Sequence, residues 1–220
     1  MLLRTFCLII LFYISFISCA DKKNVFINVS DGKTYKTIKI GTQVWIAENL
    51  KSKTFSNGDL IPEAPSQEEW RFASENKKPA WCYYNNDPSN EEKIGILYNW
   101  YVVIDPRGLA PKGWHIPYTS EWDKLREFLS NGRVSNQDYS SITMKSKSGW
   151  GPYNGNDESG FNATPSGMRY VLEGFFYIND YVGWYSRDGI ITEGISTPNV
   201  YLDYRFVNDG NGRSVRLIKD

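Results

Sequence analysis

Histidine is almost missing from this sequence: His115 is the only one in 220 residues. A Ser/His/Asp or Cys/His catalytic arrangement therefore has little to build on, and a histidine-based metal site lacks a second imidazole. Cysteine is also scarce. Cys7, Cys19 and Cys82 are an odd number, so a complete disulfide framework is excluded. Neither charge is in excess, with 25 Lys and Arg against 25 Asp and Glu. No long basic run is present, so nucleic acid is not the expected partner. Parallel βαβ alternation is missing too, which argues against a nucleotide-binding sheet of that kind. There is no clean internal repeat and no second domain boundary.

Aromatic residues, by contrast, make up 15% of the chain. The length is sufficient to bury a core without disulfide staples. The stretch from Gly95 to Trp122 holds Trp100, Trp114, Trp122 and the lone histidine between Gly and Pro boundaries. Large aromatic side chains between fixed turns pin a core with little regular structure around them.

The N-terminus reads as a targeting segment. Arg4 precedes an apolar run from Phe6 to Ile17, shorter than the ~20 residues of a membrane span. Phe16-Ile17-Ser18-Cys19 then resembles a bacterial lipobox, although Phe16 stands where that pattern prefers Leu. The resemblance implies a signal peptide over 1–18, cleavage before Cys19 and lipidation of its sulfur, with a polar tether over 19–30. Acyl chains such as palmitate bury CH₂ groups at about 0.8 kcal/mol each, so two or three hold a protein on a membrane. The alternative is an ordinary secretory signal in which Cys19 is incidental. Cys82, flanked by Trp81 and Tyr83, reads as a core thiol.

Along the remaining chain, Thr34–Ile40 and Gln43–Ala47 alternate as strands around Gly41-Thr42, a hairpin. Ser66 with Glu69 forms a capping box for a helix to about Glu75, with Trp70 and Ala73 inward. Ala80–Tyr84 reads as a strand, and Gly95–Val103 as a short helix because Leu97, Trp100 and Tyr101 match i, i+3, i+4. Trp114–Ile116 is extended before Pro117. A helix follows over Thr119–Leu129, with Trp122, Leu125 and Leu129 as its buried stripe, Phe128 alongside and Glu121 in its first turn. Ser135–Lys147 is a weaker helix. Short strands are expected at Phe161–Ala163, Met168–Val171, Gly174–Ile178, Val182–Ser186, Gly189–Thr192, Tyr201–Val207 and Gly212–Ile218. The fold class is α+β, a single domain over 31–220 with short strands, two or three helices and long loops.

Several spaced motifs carry a resemblance. They are Asp31–Gly41 with Gln43, Trp45 and Ala47–Leu50; Trp81–Asn86; Gly95 with Leu97–Trp100; Gly113–Pro117 with Glu121-Trp122; Ser159–Phe161 with Ala163 and Pro165–Gly167; and Ser214–Arg216. Together they resemble the Fibrobacter succinogenes major paralogous domain. That family is in turn similar to the formylglycine-generating, sulfatase-modifying enzymes and to C-type-lectin-like folds. The resemblance implies terminal strands that meet and loops gathered on one face. Two positions depart from it. Tyr118 stands where the family has Thr, so either Thr119 shifts the helix start or ~1 kcal/mol of capping is lost. Leu217 stands where the family commonly has Cys. The sulfatase-modifying enzymes use a late cysteine pair, and no cysteine follows Cys82 here.

Two loop features point to binding. Asn154, Asn156, Asp157 and Glu158 gather oxygen donors of the kind calcium takes, or else form hydrogen-bonded Asx turns. Tyr153, Tyr177, Tyr181, Trp184 and Tyr185 could stack on sugar rings, or else belong to the core. His115 reads as a structural hydrogen-bonding group. The expectation is a non-catalytic, lipid-anchored envelope protein at the bacterial outer membrane or cell surface, binding a glycan or a surface protein. It needs no cofactor, calcium aside. The alternatives are a divergent relative of the sulfatase-modifying oxidases and a structural component of a surface assembly.

Overall fold

The opening hairpin forms as its alternation requires. Strands β2 (Thr34–Ile40) and β3 (Gln43–Ile46) pair antiparallel, with Ile38 opposite Trp45. Gly41 turns the chain at φ +59°, and a Cβ there would lie 2.9 Å from the Phe128 ring, so the turn doubles as a seat for that side chain. The computed structural model describes residues 25–28, 31–131, 137–189, 192–196 and 210–220. Before the hairpin comes β1 (Val25–Ile27), paired antiparallel with β2. The tether expected over 19–30 is thus already sheet by Val25. The apolar Val25-Phe26-Ile27 drives this, with the Phe26 ring 4.4 Å from that of Trp114. Residues 1–24, which carry the signal segment and Cys19, lie outside the described residues.

Further along are α1 (Gln67–Glu75), β4 (Trp81–Cys82), α2 (Glu91–Ile94), β5 (Leu97–Tyr98), α3 (Trp100–Val103), β6 (Trp114–His115), α4 (Thr119–Leu129) and α5 (Gln137–Met144). Then come β7 (Ser166–Tyr170), β8 (Gly174–Ile178), β9 (Tyr181–Tyr185), β10 (Thr192–Ser196) and β11 (Ile218–Lys219). One sheet runs β1-β2-β3-β11-β6, a second runs β10-β9-β7-β8, and β4 pairs with β5. The closing strand therefore meets the opening hairpin, with Ile218 between Trp45 and His115. The capping box of α1 is present as expected, with Glu69 N–H donating to Ser66 Oγ at 3.1 Å and Ser66 N–H to Glu69 Oε2 at 2.9 Å.

Four expectations change. Gly95–Val103 is not one helix. Tyr98 exchanges backbone hydrogen bonds with Arg213 at 2.9 and 3.0 Å, which makes Leu97-Tyr98 strand, and Asn99 then caps α3 by accepting from Val102 N–H. The strand at Ala80–Tyr84 shortens to Trp81-Cys82 because Tyr84–Asn86 coils into a 3₁₀ turn with Asn85 at φ 53°. Gly212–Ile218 is not a regular strand until its end: Gly212, Arg213 and Ser214 make single bridges to Arg169, Tyr98 and Trp184. Phe161–Ala163 likewise makes only a single bridge, Ala163 to Lys145. The strand expected at Tyr201–Val207 lies outside the described residues.

The core between the sheets is aromatic. Trp122 of α4 lies 4.8 Å from Trp45 and stacks on Trp184 at 5.6 Å, and Phe161 meets all three edge-on. Arg216 is buried beside them. Its Nε donates to Asn49 Oδ1 at 3.0 Å, Nη1 to the carbonyls of Ile46 and Phe161 at 2.9 Å each, and Nη2 to Asn162 O at 3.0 Å. Asn49 Oδ1 also accepts from Trp184 Nε1 at 2.8 Å, and Asn49 Nδ2 donates to Ile94 O at 3.0 Å. Burial lowers the Arg216 pKa to about 9, so the group stays cationic at neutral pH. Substituting Arg216→Met removes every one of these donors at once and leaves buried carbonyl oxygens bare. The expected loss is ~3–5 kcal/mol, read as a shift in urea midpoint at unchanged slope.

Candidate binding surface

The β7–β8 hairpin and the turn into β9 carry a cluster of partly exposed aromatic rings. Gly167 and Tyr177 sit in that hairpin at φ +61° and +63°. Gly167 is required there, since a Cβ would lie 2.5 Å from Phe176 O. Tyr177 has no such freedom, and a left-handed backbone under an aromatic side chain costs ~1–3 kcal/mol. That geometry directs the ring outward, where it is 51% exposed. Around it, Tyr170 meets Phe176 at 5.6 Å and Tyr177 at 6.3 Å, and Tyr177 meets Tyr181 at 6.3 Å. Phe176 is 37% exposed, and Leu172 at the β7–β8 turn is 73% exposed. Glu173, Asn179 and Asp180 give the face a polar rim. Strand β8 is the last in its sheet, so this face lies at a sheet edge.

The aromatic residues singled out in sequence divide. Tyr177 is on this face, and Tyr181 is mostly buried with its ring edge against Tyr177. Tyr153 is exposed in the 3₁₀ turn Gly151–Tyr153, with no ring contact to the hairpin among the described residues. Trp184 and Tyr185 are corrections: both are fully buried and cannot stack on a ligand. Strand β9 is central, its edges taken by β10 and β7, and both its faces are packed: Trp184 enters the tryptophan core and Tyr185 lies against Trp100. Tyr170, Phe176 and Leu172 were missed. Only Phe176 had a signal, in the run Phe175-Phe176-Tyr177 before the Asn179-Asp180 turn.

The acidic and amide loop keeps its oxygens occupied. Asn154 Oδ1 accepts from Trp150 N–H at 2.9 Å, Asn156 Oδ1 from Glu158 N–H at 3.1 Å and Asp157 Oδ1 from Asn162 N–H at 2.8 Å. The Asn156 bond is an Asx turn, and the other two tie the loop to Trp150 and Asn162. Among the described residues, no group of three or more His, Cys, Asp or Glu is placed to hold a metal ion.

Titratable groups elsewhere serve as fasteners. Glu91 gathers the ammonium groups of Lys33 and Lys53, the latter at 2.8 Å, and the Tyr83 hydroxyl at 3.1 Å. Burial works against the Glu91 charge, but the two lysines outweigh it and hold the carboxyl down at about 2. Cys82 is a free, buried thiol that burial pushes up to about 12. At α4, Tyr118 is the N-cap and its side chain makes no capping bond, while its N–H donates to Glu121 Oε2 at 2.9 Å. Asp188 from the β9–β10 turn takes the missing role. It accepts from Thr119 N–H at 3.2 Å and Thr119 Oγ1 at 2.8 Å.

Residues 38–219 match the sequence model of the Fibrobacter succinogenes major domain. The chain belongs to that family. The match runs from within β2 to the end of β11 and takes in all the described helices, leaving β1 and the start of β2 outside it. Neither a curated protein nor a solved structure gives a match. No described helix is long and apolar enough to cross a membrane. In this family member the motif histidine bridges two elements: His115 Nδ1 lies 2.7 Å from Asp220 Oδ1, and Nε2 lies 2.9 Å from Glu121 Oε2.

Burial pulls the His115 pKa down, but the bonds to Asp220 and Glu121 outweigh it and raise the value above its ordinary one. A folded pKa above the unfolded value of ~6.5 means that the cation stabilises the fold below that value. The contribution is then lost as pH rises through the higher folded pKa. His115→Gln should flatten this part of the stability–pH profile, measured as urea midpoint at steps from pH 5 to 9. A profile as steep as that of the parent would assign the dependence to other groups.

Proposed function

We propose that the chain is a non-catalytic, lipid-anchored envelope protein whose domain binds a glycan through the aromatic hairpin. The observation that carries this reading is Tyr177, held in a strained left-handed backbone and aimed at solvent within a cluster of rings. Strain of that kind persists where the surrounding structure over-determines it, and it is concentrated at binding sites. Aromatic faces with polar rims suit sugar rings, whose C–H faces are apolar and whose edges are hydroxylated.

The non-catalytic part of the reading is supported by the state of the reactive groups. Cys82 is buried and held protonated, and Lys53 is pushed toward its charged form, since Glu91 and Tyr83 outweigh its burial. His115 is committed on both ring nitrogens. None of these is an activated nucleophile. A divergent relative of the sulfatase-modifying oxidases would also lack their late cysteine pair. A role in a surface assembly is favoured by one observation: β8 is an edge strand with exposed Phe176 and Tyr177 beside exposed Leu172.

The anchor rests on Cys19 at the end of its apolar run. Expressed in a bacterium that processes lipoproteins, the full chain should incorporate labelled palmitate and sediment with membranes. Cys19→Ser should abolish the label and release the protein. Labelling that survives this substitution would remove Cys19 as the acylated residue.

Binding is tested with the full-length chain in detergent on a glycan array, with calcium and again with chelator. Binding that persists in chelator and falls at least about tenfold in Tyr177→Gly, at comparable thermal stability, is the expected result. Stability is expected to hold because glycine relieves the backbone strain while the ring contacts are lost. Binding abolished by chelator would move the site to the Asn154–Glu158 loop. No binding in either condition would turn the hairpin over to a protein partner.

A further inference from the structure

We infer a second interaction surface, separate from the hairpin: a cleft beside α1 that accepts an extended polypeptide carrying a basic residue two places from an apolar one, so that both face the cleft. The cleft measures about 390 Å³ and is floored by Pro62, Ala64, Phe72, Ala73, Pro79 and Ala80. That volume lies within the range of ligand pockets. Ala64, Ala73 and Ala80 are buried, so the floor is part of a packed core rather than a mobile loop. Phe72 stands at the edge of the cleft and is 55% exposed.

Three features define the occupant. The first is charge. Glu63, Glu68 and Glu69 line the cleft against a single basic residue, Lys78. Glu69 is committed to Ser66 in the capping box, while Glu63 and Glu68 are exposed. An apolar cleft with a carboxylate rim is complementary to a cationic, apolar segment. The second is the ring. Lys78 Nζ already sits 5.1 Å from the Phe72 centroid, so the face of that ring accepts a cation. A guanidinium or ammonium from a partner would compete for the same place.

The third feature is backbone. Residues 62–64 run parallel to Trp81: Trp81 N–H donates to Pro62 O at 3.0 Å and Ala64 N–H to Trp81 O at 2.9 Å. The residue between them, Glu63, therefore directs its own N–H and C=O to the opposite side. Among the described residues neither takes a hydrogen bond. An extended partner can use both, as in strand addition, while its apolar side chain enters the cleft and its basic one reaches Glu63, Glu68 or Phe72. Free amines and small cations share the charge but lack the backbone groups, which is why the occupant is a polypeptide.

The test is fluorescence anisotropy with a labelled hexapeptide Leu-Ser-Arg-Ser-Leu-Ser, which puts leucine and arginine on one face, and its counterpart with glutamate in place of arginine. The full-length chain in detergent is used at low salt. Saturable binding of the basic peptide is expected, with the acidic one roughly tenfold weaker or more. Phe72→Ser and Glu68→Lys should each weaken the basic peptide about tenfold, with the far-UV spectrum unchanged. Tyr177→Gly should bind it normally, which separates this surface from the proposed glycan site. No saturable binding, equal binding of both peptides, or unchanged affinity in Phe72→Ser would each overturn the inference.

Discussion

The buried guanidinium of Arg216 ties the opening hairpin to the loop that leads into the second sheet. Arg216 reaches no carboxylate; its hydrogen bonds end on the Asn49 amide and on the carbonyls of Ile46, Phe161 and Asn162. Moving a guanidinium out of water costs several kcal/mol, and it is tolerated only where nearly every donor finds an acceptor. Here the acceptors come from the opening hairpin and from the loop before β7. The Phe161 ring adds a cation–π contact at 4.5 Å. Those segments cannot move independently without baring either the cation or the carbonyls. The Trp45–Trp122–Trp184 cluster forms around this constraint, because Asn49 fixes Trp184 through its indole N–H.

The same arrangement explains what the family motifs are for. Asn49, Phe161 and Arg216 meet in one place, although 112 residues separate Asn49 from Phe161. Their interactions are structural, and their polar atoms are consumed by the fold. Function is therefore sought on what the motifs leave outside: the β7–β8–β9 hairpins and the flank of α1. Arg169 links these two regions without opening either. It donates to the carbonyls of Ala64 and Ser66 at 2.8 Å each, and its guanidinium lies 4.7 Å from both the Trp70 and Phe175 rings.

Local features were legible in the sequence, and remote ones were not. The β2–β3 hairpin, the capping box of α1 and the extent of α4 follow from alternation, capping chemistry and the apolar stripe, all read within about a dozen residues. The acceptors of Arg216 could not be read this way, because backbone carbonyls carry no residue signature. Nor could the burial of Trp184 and Tyr185. An aromatic strand looks the same in sequence whether its faces are packed or open, and here the partners that cover them, Trp122 and Phe161 on Trp184 and Trp100 on Tyr185, come from distant segments. The cap of α4 was half legible. Tyr118 announced a missing hydroxyl, but the carboxylate that replaces it comes from Asp188, far along the chain.

That substitution of one cap for another has a structural consequence. A Thr at position 118 would cap α4 from within its own segment. With Tyr118 the helix start instead depends on the β9–β10 turn, so the end of β9 and the N-terminus of α4 are tied through Asp188. Arg187 strengthens the tie, its N–H donating to Pro117 O at 2.7 Å and its guanidinium to Val103 O. His115 and Glu121 join the same corner from the other side. The second sheet is thereby fastened to the first at the end of β9 as well as at Arg216. Two separated fasteners restrain rotation about either one, so the end of β9 is held against both α4 and the opening hairpin.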